Sequence, residues 1–179
     1  MKTARDHLEE LYSNSLFTSP FSDNQSTYKG YIGPFMIDVP NTAERKRIVV
    51  YHDLHHLITG YDNSRIGEGE IGAWELGTGL IKYPLPLFLN IGGMSTGVFY
   101  SIRRTYSAFM KGTKHKSLYS LNDQDLLAMP YSEVVTFSKK IKPKNSLFNN
   151  IRFIFFTICC LLILAASPLA VIFNKWLIK

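Results

Sequence analysis

From Phe153 to Asn174 the chain carries no charged residue, and Phe153 to Phe173 is almost wholly apolar. A helix over that run reaches about 31 Å, enough to cross the hydrocarbon core of a bilayer. It is apolar all round, whereas helices of soluble cores are usually shorter and one-sided. Ser167 and Pro168 soften its end without preventing a span. Lys139, Lys140, Lys142, Lys144 and Arg152 precede the run, and only Lys175 and Lys179 follow it. The bias of basic residues toward the inside therefore places the amino-terminal part on the cytoplasmic side of a bacterial inner membrane or its topological equivalent. Trp176 suits the far interface, and the lysine cluster suits anionic headgroups. The pattern predicts a domain over residues 1–145, then a basic linker and single C-terminal transmembrane anchor over 146–179.

A second uncharged stretch, Tyr83 to Ile102, contains Pro84, Pro86 and three glycines. It predicts a long buried helix from about Leu87 to Met110, with a membrane-dipping segment as the alternative. Further helices are expected over Ala4–Tyr12, Asn122–Ala128 and Ser132–Lys140. A polar loop rich in Ser and Asn is expected to run to about Tyr31. No alternating strand pattern stands out, so the expected class is all-α. The acidic residues all lie before residue 151, where seventeen basic residues face fourteen acidic ones, a net +3. That modest excess, without a basic-aromatic repeat, argues against nucleic acid as partner. Cys159 and Cys160 are adjacent within the apolar run, which argues against a structural disulfide or a thiolate metal site. Arg5, Asp6, Glu9 and Glu10 interrupt the first thirty residues, so no signal peptide is expected.

The chemistry is concentrated in His52-Asp53-Leu54-His55-His56, followed after eleven residues by Glu68, in a chain with five histidines. If Asn41 to Thr59 is helical, His52 and His56 form an i,i+4 pair on one face. Asn41 and Glu44 have capping-box spacing, and Gly60 supplies a left-handed stop. A second helix over about Ile66 to Leu76, folded back over Tyr61-Asp62-Asn63-Ser64, would bring Glu68 opposite His56. Imidazoles and carboxylates together suit a divalent metal, zinc first, with iron, manganese or magnesium as alternatives. An H-x-x-x-H pair alone occurs widely without metal; Asp53 and Glu68 sharpen the reading. His55 is expected to point off this face. Glu70 and Glu75 are expected to be solvated or helix-pairing, and His7 and His115 to lie on the surface.

His52-Asp53-x-x-His56, eleven residues, then Glu68 resembles the signature of the coenzyme Q biosynthesis protein 4 family. Gly60 and the Gly67-Glu68 pair match further positions, and the similarity spans roughly Pro40 to Gly79. The resemblance implies a mainly helical, membrane-associated protein holding a metal through His52, Asp53, His56 and Glu68. It implies action on polyprenylated quinone precursors, replacing a ring carboxylate at C1 by hydroxyl, in association with other quinone biosynthesis proteins and membrane lipids. A homo-oligomer is also expected. The apolar tail departs from the family, so the mode of membrane attachment does not carry over. On this reading His52, His56 and Glu68 are ligands. Asp53 is a fourth ligand, or the group that orients a histidine and moves a proton.

Three rival readings use the same letters. A non-catalytic module would pin two helices with the metal and present a lipid precursor to partners. A zinc-protease helix would use Asp53 in place of the usual glutamate, with Asp62 as third ligand. A di-iron hydroxylase box would use His52, His55 and His56, but only His7 and His115 remain for its other boxes.

Overall fold

The computed structural model describes residues 2–14, 17, 19–20, 24–139 and 146–177, with side chains through residue 169. Lys140, Lys142, Lys144 and Lys179 lie outside the described residues, as do the side chains of Lys175 and Trp176. In chain order the elements are α1 (Ala4–Asn14), β1 (Thr27–Ile32), β2 (Phe35–Pro40), α2 (Ala43–Thr59), α3 (Arg65–Thr78) and α4 (Pro84–Gly112). Then follow α5 (Asp123–Ala128), α6 (Tyr131–Ser138) and α7 (Ser146–Leu177). The fold is mostly helical.

The helical content agrees with the all-α expectation, to which the structure adds one short β1–β2 hairpin. Its strands pair antiparallel from Thr27 opposite Pro40 to Ile32 opposite Phe35. The two-residue turn between them starts at Gly33, whose φ of 59° favours glycine. The Gly33 N–H donates to Thr96 Oγ1 (3.0 Å), and that hydroxyl donates to the Tyr31 carbonyl (3.2 Å). The hairpin is thereby seated on α4. The dipeptide Gly33-Pro34 is a turn signal, but two strands with little alternation in burial did not declare themselves as a sheet.

Two clusters make the interior. Leu8, Val50, Leu54, Leu118, Leu126 and Val134 unite α1, α2, α5 and α6. Ile71, Trp74, Leu76, Met94 and Phe109 unite α3 and α4, and Phe153, Phe156 and Cys160 of α7 complete that cluster. The start of α7 is thus fastened to the helical domain. Arg152 adds to the attachment by donating to the carbonyl of Leu76 at the end of α3 (2.8 Å). Helices α3 and α4 approach closely through small residues. A Cβ at Gly69 would collide with the backbone of Gly97, and one at Gly72 with that of Met94. The α4 path is broken at Ser101 (φ −162°, ψ 89°). There the Thr105 hydroxyl donates to the Ser101 carbonyl (2.9 Å), a side-chain insertion into the ladder that accompanies kinks.

Both α4 and α7 are long and apolar enough to cross a membrane, so the sequence-based expectation of one such helix is incomplete. Each turns large apolar side chains outward: Phe88, Phe99 and Ile102 on α4, and Ile151, Ile154, Ile158 and Leu162 on α7. Helix α4 begins at Pro84, three residues ahead of the expected start, because proline is compatible with the first helical turn.

Gly69→Val should push α3 and α4 apart at a cost on the order of 2 kcal/mol. Gly92→Ala, where an added Cβ meets nothing within 4 Å, should be neutral or stabilising by a few tenths to about 1 kcal/mol. Thermal unfolding in detergent distinguishes them; equal melting temperatures would contradict the close packing.

Candidate metal centre

Local signals build the frame of the site. Thr42, not Asn41, caps α2, its hydroxyl accepting the Arg45 N–H (3.1 Å), so the Asn41–Glu44 box is not the cap. Gly60 ends the helix at φ 72°, and its N–H donates to the His56 carbonyl (2.8 Å). Ser64 then opens α3 by accepting the Gly67 N–H (3.1 Å). With only five residues between the helices, Glu68 on the first turn of α3 comes back over His56.

Three expected ligand residues meet there. His52 Nε2 lies 3.2 Å from His56 Nε2 and 3.3 Å from Glu68 Oε2. Glu68 Oε1 lies 3.5 Å from His56 Nε2. Donors held 2.0–2.1 Å from a tetrahedral ion stand about 3.3–3.4 Å from one another, close to the His52–His56 separation, and the two Glu68 oxygens each approach one imidazole at a similar distance.

The outer ring nitrogens specify what faces inward. His52 Nδ1 is 2.9 Å from Glu75 Oε1, and His56 Nδ1 is 2.8 Å from the Tyr61 carbonyl. Both partners accept only, so each Nδ1 carries a proton. His56, with its lowered pKa, presents an Nε2 lone pair, and His52 does so once it gives up the Nε2 proton that its raised pKa keeps there in the metal-free state. A proton on His52 Nε2 can serve one neighbour at a time; a divalent cation serves all three. Carboxylate and carbonyl acceptors behind metal-bound imidazoles are the usual support of such sites. The residues therefore fit a divalent metal with at least one position left for an exogenous ligand. His56 is buried, while the side chains of His52 and Glu68 are 22% and 32% exposed, so the opening lies on their side.

The electrostatics agree with this division. Burial opposes charge on His52, but Glu75 and Glu68 raise its pKa well above the usual imidazole value. Burial and then the neighbouring His52 push His56 down to about 4. Burial raises the carboxyl of Glu68, yet the His52 contact outweighs it and the net shift is downward.

Asp53 stands apart from these three. It is buried, and its Oδ2 accepts the Tyr12 hydroxyl of α1 (2.8 Å). Burial pushes its carboxyl up to about 7, against the opposing influence of His52 and Tyr12. Asp62, the protease reading's third ligand, is exposed and accepts from the Ser64 N–H and hydroxyl at the turn. His55 uses both nitrogens elsewhere, Nδ1 on Glu75 (2.9 Å) and Nε2 on the Leu118 N–H (3.2 Å), which removes the histidine-box arrangement. Glu70 pairs with Arg104 of α4 through two contacts (3.0 and 2.5 Å) and so joins helices, one of its two expected roles. His7 and His115 are half-buried, stacked near Tyr131 and Trp74.

Glu75 is the residue the motif did not single out. It is wholly buried and not solvated; it pairs α3 with α2 through His52 and His55, the second of its two expected roles, and also accepts from Asn90 (2.6 Å) and Tyr119 (2.9 Å). Two signals were available: it lies two helical turns after Glu68, and His55 lies one turn after His52. Tyr12, Asn90 and Tyr119 have no such spacing and are brought in only by tertiary packing.

The chain matches no protein-family model, and no curated protein or solved structure matches it.

The full-length protein in detergent should bind one divalent ion per chain, and His56→Ala should weaken binding by more than the ~10–100-fold typical of losing an outer support. Because His52 holds its proton well above pH 6.5 before an ion binds, binding near pH 7 should release about one proton. Affinity should fall about tenfold per unit of acidification. Calorimetry in buffers of different ionisation enthalpy reads this directly; zero proton release would contradict the assignment.

Proposed function

We propose that the chain is a membrane-bound, metal-dependent protein of ubiquinone-type quinone biosynthesis. It decarboxylates a polyprenylated benzoate precursor and installs hydroxyl at the same ring carbon. The convergence of His52, His56 and Glu68 is the observation that carries the metal part of this reading. The substrate part rests on the resemblance of the same residues to the coenzyme Q biosynthesis protein 4 family, and on where the site lies. An added Cβ at Gly93 of α4 would meet the Glu68 carbonyl at 3.4 Å, so α4 runs directly behind the ligand helix. A ring carboxylate can therefore reach the ligand set while its prenyl chain follows the apolar surfaces of α4 and α7.

Replacing carboxylate by hydroxyl with loss of carbon dioxide is a two-electron oxidation, so an oxidant of the dioxygen class is a co-substrate. A divalent ion held by His52, His56 and Glu68 supplies Lewis-acid stabilisation of negative charge on the substrate oxygens. Asp53, one residue from His52 and carrying a carboxyl near neutrality, holds or moves a proton beside the site. Tyr12 fixes its orientation. The outward apolar side chains of both long helices support placement at the bilayer, with the basic segment before α7 on the cytoplasmic side.

A second reading, a lipid-presenting scaffold of a quinone biosynthesis complex, is favoured by one observation: Asp53 hydrogen-bonds to Tyr12 and is not among the three residues that converge as a ligand group.

The protein reconstituted in vesicles with a polyprenyl hydroxybenzoate labelled at its carboxyl carbon should release labelled carbon dioxide. Asp53→Asn should retain metal and fold while losing at least about 100-fold in turnover, the range expected for removal of a proton-transfer group. Full turnover in that variant sinks Asp53's role, and precursor binding without any carbon dioxide release selects the scaffold.

A further inference from the structure

The Glu75 carboxylate is saturated. Its Oε1 accepts from His52 Nδ1 and His55 Nδ1, both at 2.9 Å, and its Oε2 accepts from Asn90 Nδ2 at 2.6 Å and the Tyr119 hydroxyl at 2.9 Å. Four donors fill the four lone-pair directions of a carboxylate. The donors come from α2, α4 and the turn at Leu118–Ser120, so the group is clamped from three sides. Among the described residues its only ion-pair partners are the two imidazoles, with no lysine or arginine. A buried carboxylate needs a positive charge near it. For Glu75 that charge sits on His52 itself or one imidazole away, where His52 Nε2 meets His56 and Glu68.

His55 shows which ring is held for what. Its Nε2 accepts the Leu118 N–H, so its Nδ1 must carry the proton it gives to Glu75, and both nitrogens are consumed inside the core. His52 makes the same Nδ1 contact, but its Nε2 has no backbone donor and points into the ligand group. One carboxylate thus imposes the same tautomer on two histidines, and only one of them is left with a lone pair to offer.

We propose that Glu75 is a positioning residue for the metal site: it locks His52 as the Nδ1–H tautomer, aims Nε2 at the ion, and supplies the second negative charge that, with Glu68, balances a divalent cation. This rests on the metal reading above and adds to it the residue that sets affinity.

The probe is zinc alone, titrated by chelator competition into the full-length protein in detergent, with the melting temperature of the metal-free form measured in parallel. Wild type is measured first; no binding there overturns the metal reading and Glu75's role together. Given binding by wild type, Glu75→Gln preserves shape and keeps one oxygen to accept from His52 and His55, but removes the charge and the acceptor that Asn90 and Tyr119 use. It should weaken zinc about 10–100-fold per folded molecule. Glu70→Gln removes a carboxylate that pairs with Arg104 outside the ligand group and should leave zinc affinity nearly unchanged. A merely structural Glu75 gives the opposite result, a lowered metal-free melting temperature with wild-type affinity, and overturns the proposal while leaving the metal site standing. Should Glu75→Gln fail to fold, nitrogen NMR of histidine-labelled wild type decides. Zinc on Nε2 of His52 with a proton on Nδ1 supports the proposal, and the reverse overturns it.

Discussion

Two imidazoles and a carboxylate brought to one point call for a positive charge among them, either a proton on a ring or a bound ion. At the junction of α2 and α3 the Nε2 atoms of His52 and His56 and the carboxylate of Glu68 lie 3.2 to 3.5 Å apart. Their outer nitrogens are already committed to Glu75 and the Tyr61 carbonyl. This constraint orders much of the rest: the sharp connection between the helices, the fixed rotation of α2, and the buried acid behind the first histidine. It also explains why His55, three residues from His52 and of the same chemical type, plays no part in the ligand set.

The site's surroundings follow from how α3 is used. One face carries Glu68 and Glu75 toward α2, and another lies against α4 through Gly69 and Gly72. Glycines cost helix propensity, yet here they let two backbones come within touching distance, as small residues do in membrane helices. The polar centre and the apolar helices are therefore separated by no more than one helix. For a substrate with a charged ring and a greasy chain, that is a compatible arrangement.

Much of this was legible beforehand. The two motif helices, their turn, the Gly60 stop, and the meeting of His52, His56 and Glu68 follow from capping chemistry and helical spacing, which are local. The long helix near Leu87 and the apolar tail follow from hydropathy. What escaped was non-local. The hairpin depends on Thr96, more than sixty residues away, to seat its turn. Glu75 is expected from the sequence to be solvated or helix-pairing, and its burial beside the site depends on Asn90 and Tyr119, which arrive from other elements. The cap is Thr42 rather than Asn41, whose Oδ1 accepts from the Arg45 guanidinium and whose Nδ2 donates to the Gln25 carbonyl.

By itself the sequence determined which segments are helical, which residues can ligate a cation, and that one terminal run is apolar enough for a bilayer. These are properties of neighbours along the chain, fixed by periodicity and side-chain chemistry. Only the tertiary structure decided that Asp53 turns to Tyr12, that Glu75 is locked behind His52, and that α7 is fastened to α3 and α4. Those outcomes depend on hydrogen-bond partners and packed surfaces brought together from distant segments, and no local pattern encodes which of several polar groups will be buried together.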